Sequence, residues 1–131
     1  GISFDAICAG YLGKARQVQM VAQVSRALLA KGGKLIVDPA MADNGKLYPA
    51  FDMEYVEAMK SLCGKADFVV PNITEACFLC DVPYRTEYDR AYIDLLLEKL
   101  TALGCKNIIL TGVSYRPGKT GIVVYEKGEY A

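Results

Sequence analysis

The chain has no histidine at all among its 131 residues, which removes imidazole acid–base chemistry and imidazole metal ligation at once. Charge of one sign is also missing. Fifteen basic and fifteen acidic side chains cancel, so nothing electrostatic recommends nucleic acid or an anionic membrane as a partner. No apolar run approaches the roughly 20 residues that a spanning helix needs, and no charged-then-apolar leader opens the chain, so a secretory signal is not expected. The five cysteines, at 8, 63, 77, 80 and 105, are odd in number and irregular in spacing. They do not make a disulfide framework, and reduced thiols in a cytoplasmic protein are expected. Repeats and low-complexity segments are absent.

What is there is 53% hydrophobic, enough for one real core in a chain of this length. Short apolar runs alternate with helical spacing. Phe4 to Ala9 reads as a strand stopped by Gly10. Apolar residues at 18, 21, 22, 24, 28 and 29 predict a helix over Lys14 to Lys31, ended by Gly32-Gly33. Lys34 to Val37 is a second strand, and Asp52 is a candidate N-cap for a helix through Leu62, closed by Gly64. Asp67 to Val70 is a third strand. Thr74 to Cys80 and Tyr88 to Leu103 are helices, the second ended by Gly104. Asn107 to Leu110 is a fourth strand running into Thr111-Gly112. After a turn at Lys119-Thr120-Gly121, Ile122 to Tyr125 is a fifth strand, reached by a short connection and therefore expected to be antiparallel, with Lys127-Gly128 as a hairpin turn. The order β-α-β-α-β-α-α-β-β argues an α/β fold with a mostly parallel sheet and helices on both faces.

The most informative stretch is Leu35 to Tyr48, L-I-V-D-P-A-M-A-D-N-G-K-L-Y. A buried strand empties into Asp38. Pro39 cannot continue a ladder, so the strand stops there. Asp43, the turn pair Asn44-Gly45, Lys46 and Tyr48 follow in a connection without periodicity, and connections of that length are usually functional. The other strands end in Gly10-Tyr11, in Pro71-Asn72 with Glu75, and in Thr111-Gly112. A parallel sheet sets such ends along one edge, where open α/β sheets bind ligands. Asp38, Asp43 and Glu75 offer hard oxygen donors that suit Mg²⁺, and the amides after Pro71 and around Gly112 suit phosphate. Together they point to a magnesium–nucleotide site. Each residue also has an ordinary explanation: Asp38 as a turn former, Asn72 as a helix cap, Glu75 as a first-turn acid and Tyr11 as a packed ring. The Cys77-x-x-Cys80 spacing matches a redox motif but lies within an apolar helix.

The segments F-D-A-I-C-A-G-Y-L-G-K-A-R-Q (4–17), V-D-P-A-M-A-D-N-G-K-L-Y (37–48), A-D-F-V-V-P-N-I-T-E-A (66–76) and L-T-G-V-S (110–114) resemble the pyridoxal/pyridoxine (vitamin B6) kinases of the ribokinase-like superfamily, in the same order and separation. The resemblance implies a three-layer α/β sandwich with a mostly parallel, Rossmann-like sheet, incomplete at both ends. Residues 1–131 would be the central part of a single kinase domain. It implies transfer of the ATP γ-phosphoryl to the 5′-hydroxymethyl of pyridoxal, pyridoxine or pyridoxamine, in a cytoplasmic homodimer. ATP and Mg²⁺ would be the cofactors. A monovalent cation is also admitted, although Val70 replaces the Thr of some members and weakens that site. Carried over position by position, Tyr11 would lie near the pyridine ring. Asp38, Tyr48, Asn72, Glu75 and Thr111 would meet the nucleotide, and Asp38, Asp43 and Glu75 the metal, Glu75 through water. Ala40 and Ala42 stand where the pattern has Val and Gly. The family's Gly-rich segment with the catalytic base would lie beyond Ala131, so no catalytic base is assigned here and residues 1–131 alone are expected to turn over little or no substrate. The alternatives are a hydroxymethylpyrimidine-type kinase of the same superfamily and a non-catalytic nucleotide-binding module, with a redox protein built on Cys77 and Cys80 as a third.

Overall fold

The structure, a computed structural model, describes residues 1–131. Strand β1 (Phe4–Gly10) leads into helix α1 (Ala15–Leu28) and strand β2 (Leu29–Asp38). The short strands β3 (Ala42–Asp43) and β4 (Lys46–Leu47) precede helix α2 (Met53–Cys63). Strand β5 (Phe68–Val69), helices α3 (Ile73–Cys80) and α4 (Arg90–Ala102), and strands β6 (Asn107–Arg116), β7 (Lys119–Glu126) and β8 (Glu129–Tyr130) complete the chain. Six strands form one sheet in the order β1-β2-β5-β6-β7-β8, parallel as far as β6 and antiparallel beyond it.

Strand pairing fixes where each side chain goes. Val37, Val69 and Ile108 lie in register across three strands and are fully buried, with Leu35 and Leu110 on the same face. The four helices touch in sequence, α1 on α2, α2 on α3 and α3 on α4, and form one layer over that face. The alternate residues Cys8, Ile36 and Phe68 share a register on the opposite face and are exposed or only half-buried. The alternation of strands and helices suggested helices on both faces, whereas these residues supply one helical layer. The physical reason is the strand order. Each crossover moves one strand further in the same direction, and right-handed crossovers then all fall on the same side.

Two boundaries differ from the sequence expectation, and the connection after Pro39 carries short strands around its expected turn. Helix α1 stops at Leu28 because Leu29 pairs with Phe4 of β1, and Gly32-Gly33 form a bulge inside β2 where the register jumps from Leu29 to Lys34. The expected turn at Lys119–Gly121 is strand. The actual turn is Pro117-Gly118, with Gly118 at φ +75°, so β6 and β7 run on as a long two-stranded ribbon past Thr111-Gly112. Asn44-Gly45, both at positive φ, form a two-residue hairpin turn between β3 and β4, so the connection after Pro39 is ordered.

Helix α2 begins at Asp52, whose side chain accepts the Tyr55 amide at 2.9 Å, and ends at Gly64. There it meets the end of α4 backbone to backbone: a Cβ on Gly64 would lie 2.5 Å from the Leu103 carbonyl oxygen. Neither main chain can move without opening the core around Cys63 and Cys105. Gly64→Ala is expected to cost about 1–3 kcal/mol by overpacking, read as a lower urea midpoint. A variant as stable as the parent would show that the helix ends separate freely.

Candidate functional site

The polar strand ends come together at the carboxyl edge of the sheet, as the parallel topology requires. Gly10 pairs with Asp38, and a Cβ on Gly10 would lie 3.3 Å from that of Asp38. Asn72 pairs with Thr111, whose amide donates to the Pro71 carbonyl at 2.9 Å. Asp38 and Asn72 thus stand at the ends of β2 and β5, with Thr111 beside Asn72 where β6 passes the same edge.

Helix α3 begins in a reciprocal cap. The Asn72 side chain accepts the Glu75 amide at 2.8 Å, and Glu75 Oε2 accepts the Asn72 amide at 2.9 Å. The same two side chains reach across to the β3–β4 hairpin. Glu75 Oε1 accepts the Met41 amide at 3.1 Å, and Asn72 Nδ2 donates to the Ala42 carbonyl at 2.9 Å. Met41 and Ala42 are fully buried, and Ala42 is held in a conformation that a Cβ tolerates. The hairpin is therefore fastened to the head of α3. It carries Asp43, whose carboxylate accepts the Asn44 amide, and leads to Tyr48.

Electrostatically the edge is negative and unneutralised. Glu75 is 3% exposed, and burial pushes its carboxyl up to about 7 against the pull of the amides it accepts, with the charge of Asp38 adding to the rise. Desolvation also raises Asp38, partly offset by the Ala40 amide. The chain's ion pairs join Lys60 to Glu57 and Asp81, and Lys106 to Asp67, so none involves Asp38, Asp43 or Glu75. Nor do three such groups converge as a ready-made metal cage. Asp38, Asp43 and Glu75 share the edge without forming one cluster. Where Mg²⁺ arrives with nucleotide phosphates, one or two protein carboxylates suffice, and the residues present fit that group.

Tyr11 is 62% exposed at φ 49°, so it is not a packed core ring. Its ring meets Phe51 edge-on at 5.3 Å, Tyr48 tilts over the same Phe51 at 6.4 Å, and Phe51 stacks on Tyr55 at 4.2 Å. Tyr55 Oη accepts the Leu12 amide at 3.2 Å, bracing the turn that carries Tyr11. Tyr11 and Tyr48 thus share one aromatic platform. Sequence reasoning missed Phe51 and Tyr55. The only signal was four aromatics at 48, 51, 55 and 11, and a tertiary contact was needed to join them.

Cys77 and Cys80 are buried in α3. Cys77 Sγ lies 3.0 Å from Tyr92 Oη, and burial pushes both thiols up, Cys80 to about 12. A redox thiol needs the opposite shift, so the redox reading is discarded.

A mixed sheet with its parallel strands on one side, a capped helix start at their carboxyl edge and a hairpin fastened to that helix belongs to the class of ribokinase-like α/β proteins. The family model described as phosphomethylpyrimidine kinase matches residues 1–131, and the chain belongs to this phosphomethylpyrimidine/pyridoxal kinase family. A solved structure of a putative phosphomethylpyrimidine kinase from Bacteroides thetaiotaomicron, crystallised with pyridoxal, is 37% identical at TM-score 0.89, over 96% of this chain and 45% of that one. Pyridoxal kinase from Lactobacillus plantarum is 31% identical at TM-score 0.83, over 99% of this chain and 46% of that one. A Dictyostelium discoideum pyridoxal kinase is 25% identical over 93% of this chain and 40% of its own length. Solved pyridoxal kinases that match this fold hold ADP or AMP-PNP. The chain therefore spans less than half the length of the relatives it matches. No helix is long and apolar enough to cross a membrane.

Proposed function

We propose that these residues are the nucleotide- and substrate-facing part of an ATP-dependent kinase acting on the 5′-hydroxymethyl of pyridoxal, pyridoxine or pyridoxamine. The observation that carries this is the fastening of the hairpin to the head of α3 beside Asp38. It sets a carboxylate, free helix-start amides and a tyrosine-bearing loop around one edge. Bound magnesium–nucleotide supplies the transferable phosphoryl group and neutralises charge there. Phosphoryl transfer asks mainly for positioning and electrostatics, and those are what the residues provide. Asp38 presents a carboxylate on the metal side. Asn72, held by the cap, aims the first amides of α3 toward phosphate. Thr111 offers a hydroxyl one strand away. Asp43 and Tyr48 ride on the hairpin, with Tyr48 over the nucleotide, and Tyr11 offers an exposed ring face for a flat heteroaromatic substrate.

The test is a coupled assay of pyridoxal phosphorylation with ATP and Mg²⁺, run on residues 1–131 and on the full-length open reading frame. Turnover is expected only from the longer protein. Turnover of hydroxymethylpyrimidine in place of pyridoxal would move the assignment to the other branch of the family. Nucleotide binding without transfer to either would leave a binding module.

A further inference from the structure

The tip of the β3–β4 hairpin is held by two residues to which neither the cap of α3 nor the edge chemistry gives a task. The Gly45 amide donates to Thr74 Oγ1 at 3.0 Å, and Thr74 is buried. The Tyr84 ring, in the segment after α3, lies so close beneath the tip that a Cβ on Gly45 would come within 2.7 Å of its Cδ1. Gly45 also sits at φ +79°, so the turn both needs glycine and is shaped to Tyr84. The hairpin base is fixed independently, by Glu75 to Met41 and by Asn72 to Ala42. A two-residue hairpin with two-residue strands does not hold its place alone, so the tip contacts decide where its flanks lie.

We infer that Thr74 and Tyr84 are positioning residues that latch the hairpin tip and thereby set Asp43 and Tyr48 over the sheet edge before any ligand arrives. The latch deepens the kinase assignment above. Its kinetic consequence rests on that assignment, while its structural content does not. A hairpin already seated loses little further freedom when nucleotide binds beneath it, so the latch serves ground-state affinity for ATP and leaves the chemical step alone. Both residues act through the hairpin and neither is assigned a contact with substrate.

The test is made in the full-length protein with two pairs of variants, Thr74→Val against Thr74→Ser and Tyr84→Ala against Tyr84→Phe. The first of each pair removes the hydroxyl acceptor or the ring, and the second restores it. Hydrogen exchange reads the latch without reference to activity. Exchange at Gly45 is expected to accelerate about 5- to 10-fold in Thr74→Val, the effect of one lost hydrogen bond, and to accelerate also in Tyr84→Ala, which removes the ring packed against the tip, with the amides of Ile108 and Leu110 unchanged. The Ser and Phe variants are expected to keep parental protection. In kinetics, KM for ATP is expected to rise by a similar factor of about 5–10 at nearly constant kcat, the signature of lost uniform binding. Unchanged exchange at Gly45 overturns the latch. Exchange that rises equally at Ile108 and Leu110 overturns it too, because the residues would then be general supports. A local loss of protection with KM for ATP unmoved, or a fall in kcat alone, overturns the positioning role. If the parent phosphorylates neither pyridoxal nor hydroxymethylpyrimidine, the kinase assignment fails, and the exchange data still decide the latch.

Discussion

Glu75→Ala is expected to destabilise the protein by about 2–4 kcal/mol, from two backbone amides left without acceptors at roughly 1–3 kcal/mol each, less what water recovers. The amides are those of Met41 and Asn72, the first from the hairpin and the second from the helix cap, and one carboxylate serves both. Glu75→Gln has a single acceptor oxygen and should lose about half as much. The two variants also separate by pH. The folded carboxyl sits near 7, above the ordinary 4.5, so folding takes up a proton between those values. The contribution is fully present below about 4.5 and is lost as pH rises through about 7, opposite to the usual carboxylate. Urea midpoints of the parent should therefore fall from pH 5 to pH 8, and those of Glu75→Gln should fall less steeply. Alanine costing no more than glutamine would mean that the amides find other partners, and the brace between hairpin and helix would have to be abandoned.

How far such a brace could be read in advance follows from which interactions are local. The Asn72–Glu75 cap is written within four residues, as are the Asp52 cap, the Asn44-Gly45 turn and the Lys127-Gly128 turn, where both residues take positive φ. Each was legible because the side chain and the backbone it serves are neighbours in sequence. The extent of α1 was not, because Leu29 is drawn out of helical geometry by Phe4, twenty-five residues away. Nor was the length of the β6–β7 ribbon. Thr111-Gly112 reads as a stop, yet the strand passes through it with a register shift between Leu110 and Val113, Gly112 at φ +70° absorbing the irregularity. The single helical layer depends on strand order, which no local pattern encodes. At the sheet edge, the gathering of Asp38, Asn72 and Thr111 was legible because topology alone collects them. The grip of Glu75 on Met41, the Thr74 and Tyr84 contacts at Gly45, and the Phe51–Tyr55 floor beneath Tyr11 and Tyr48 were not found, because each joins elements whose relative placement is tertiary.

Under the proposed function, Asp38→Asn in the full-length protein should lower kcat/KM for pyridoxal phosphorylation by about 10²–10³-fold, the usual loss when one preorganised electrostatic group is removed. Asparagine keeps the shape of the side chain and an oxygen for the Ala40 amide, so the edge should remain in place. What it removes is the charge of an exposed carboxylate that partial desolvation disfavours and that no basic side chain pairs. The same substitution should then leave the urea midpoint at neutral pH unchanged or raise it, because the group it removes is held above its ordinary pKa in the fold. Activity and stability moving in opposite directions is the mark of a group retained for function at some cost to folding. If both fell together, Asp38 would be a structural strand terminator. If neither changed, the negative edge would have no part in phosphoryl transfer, and the magnesium–nucleotide assignment would lose its strongest carboxylate.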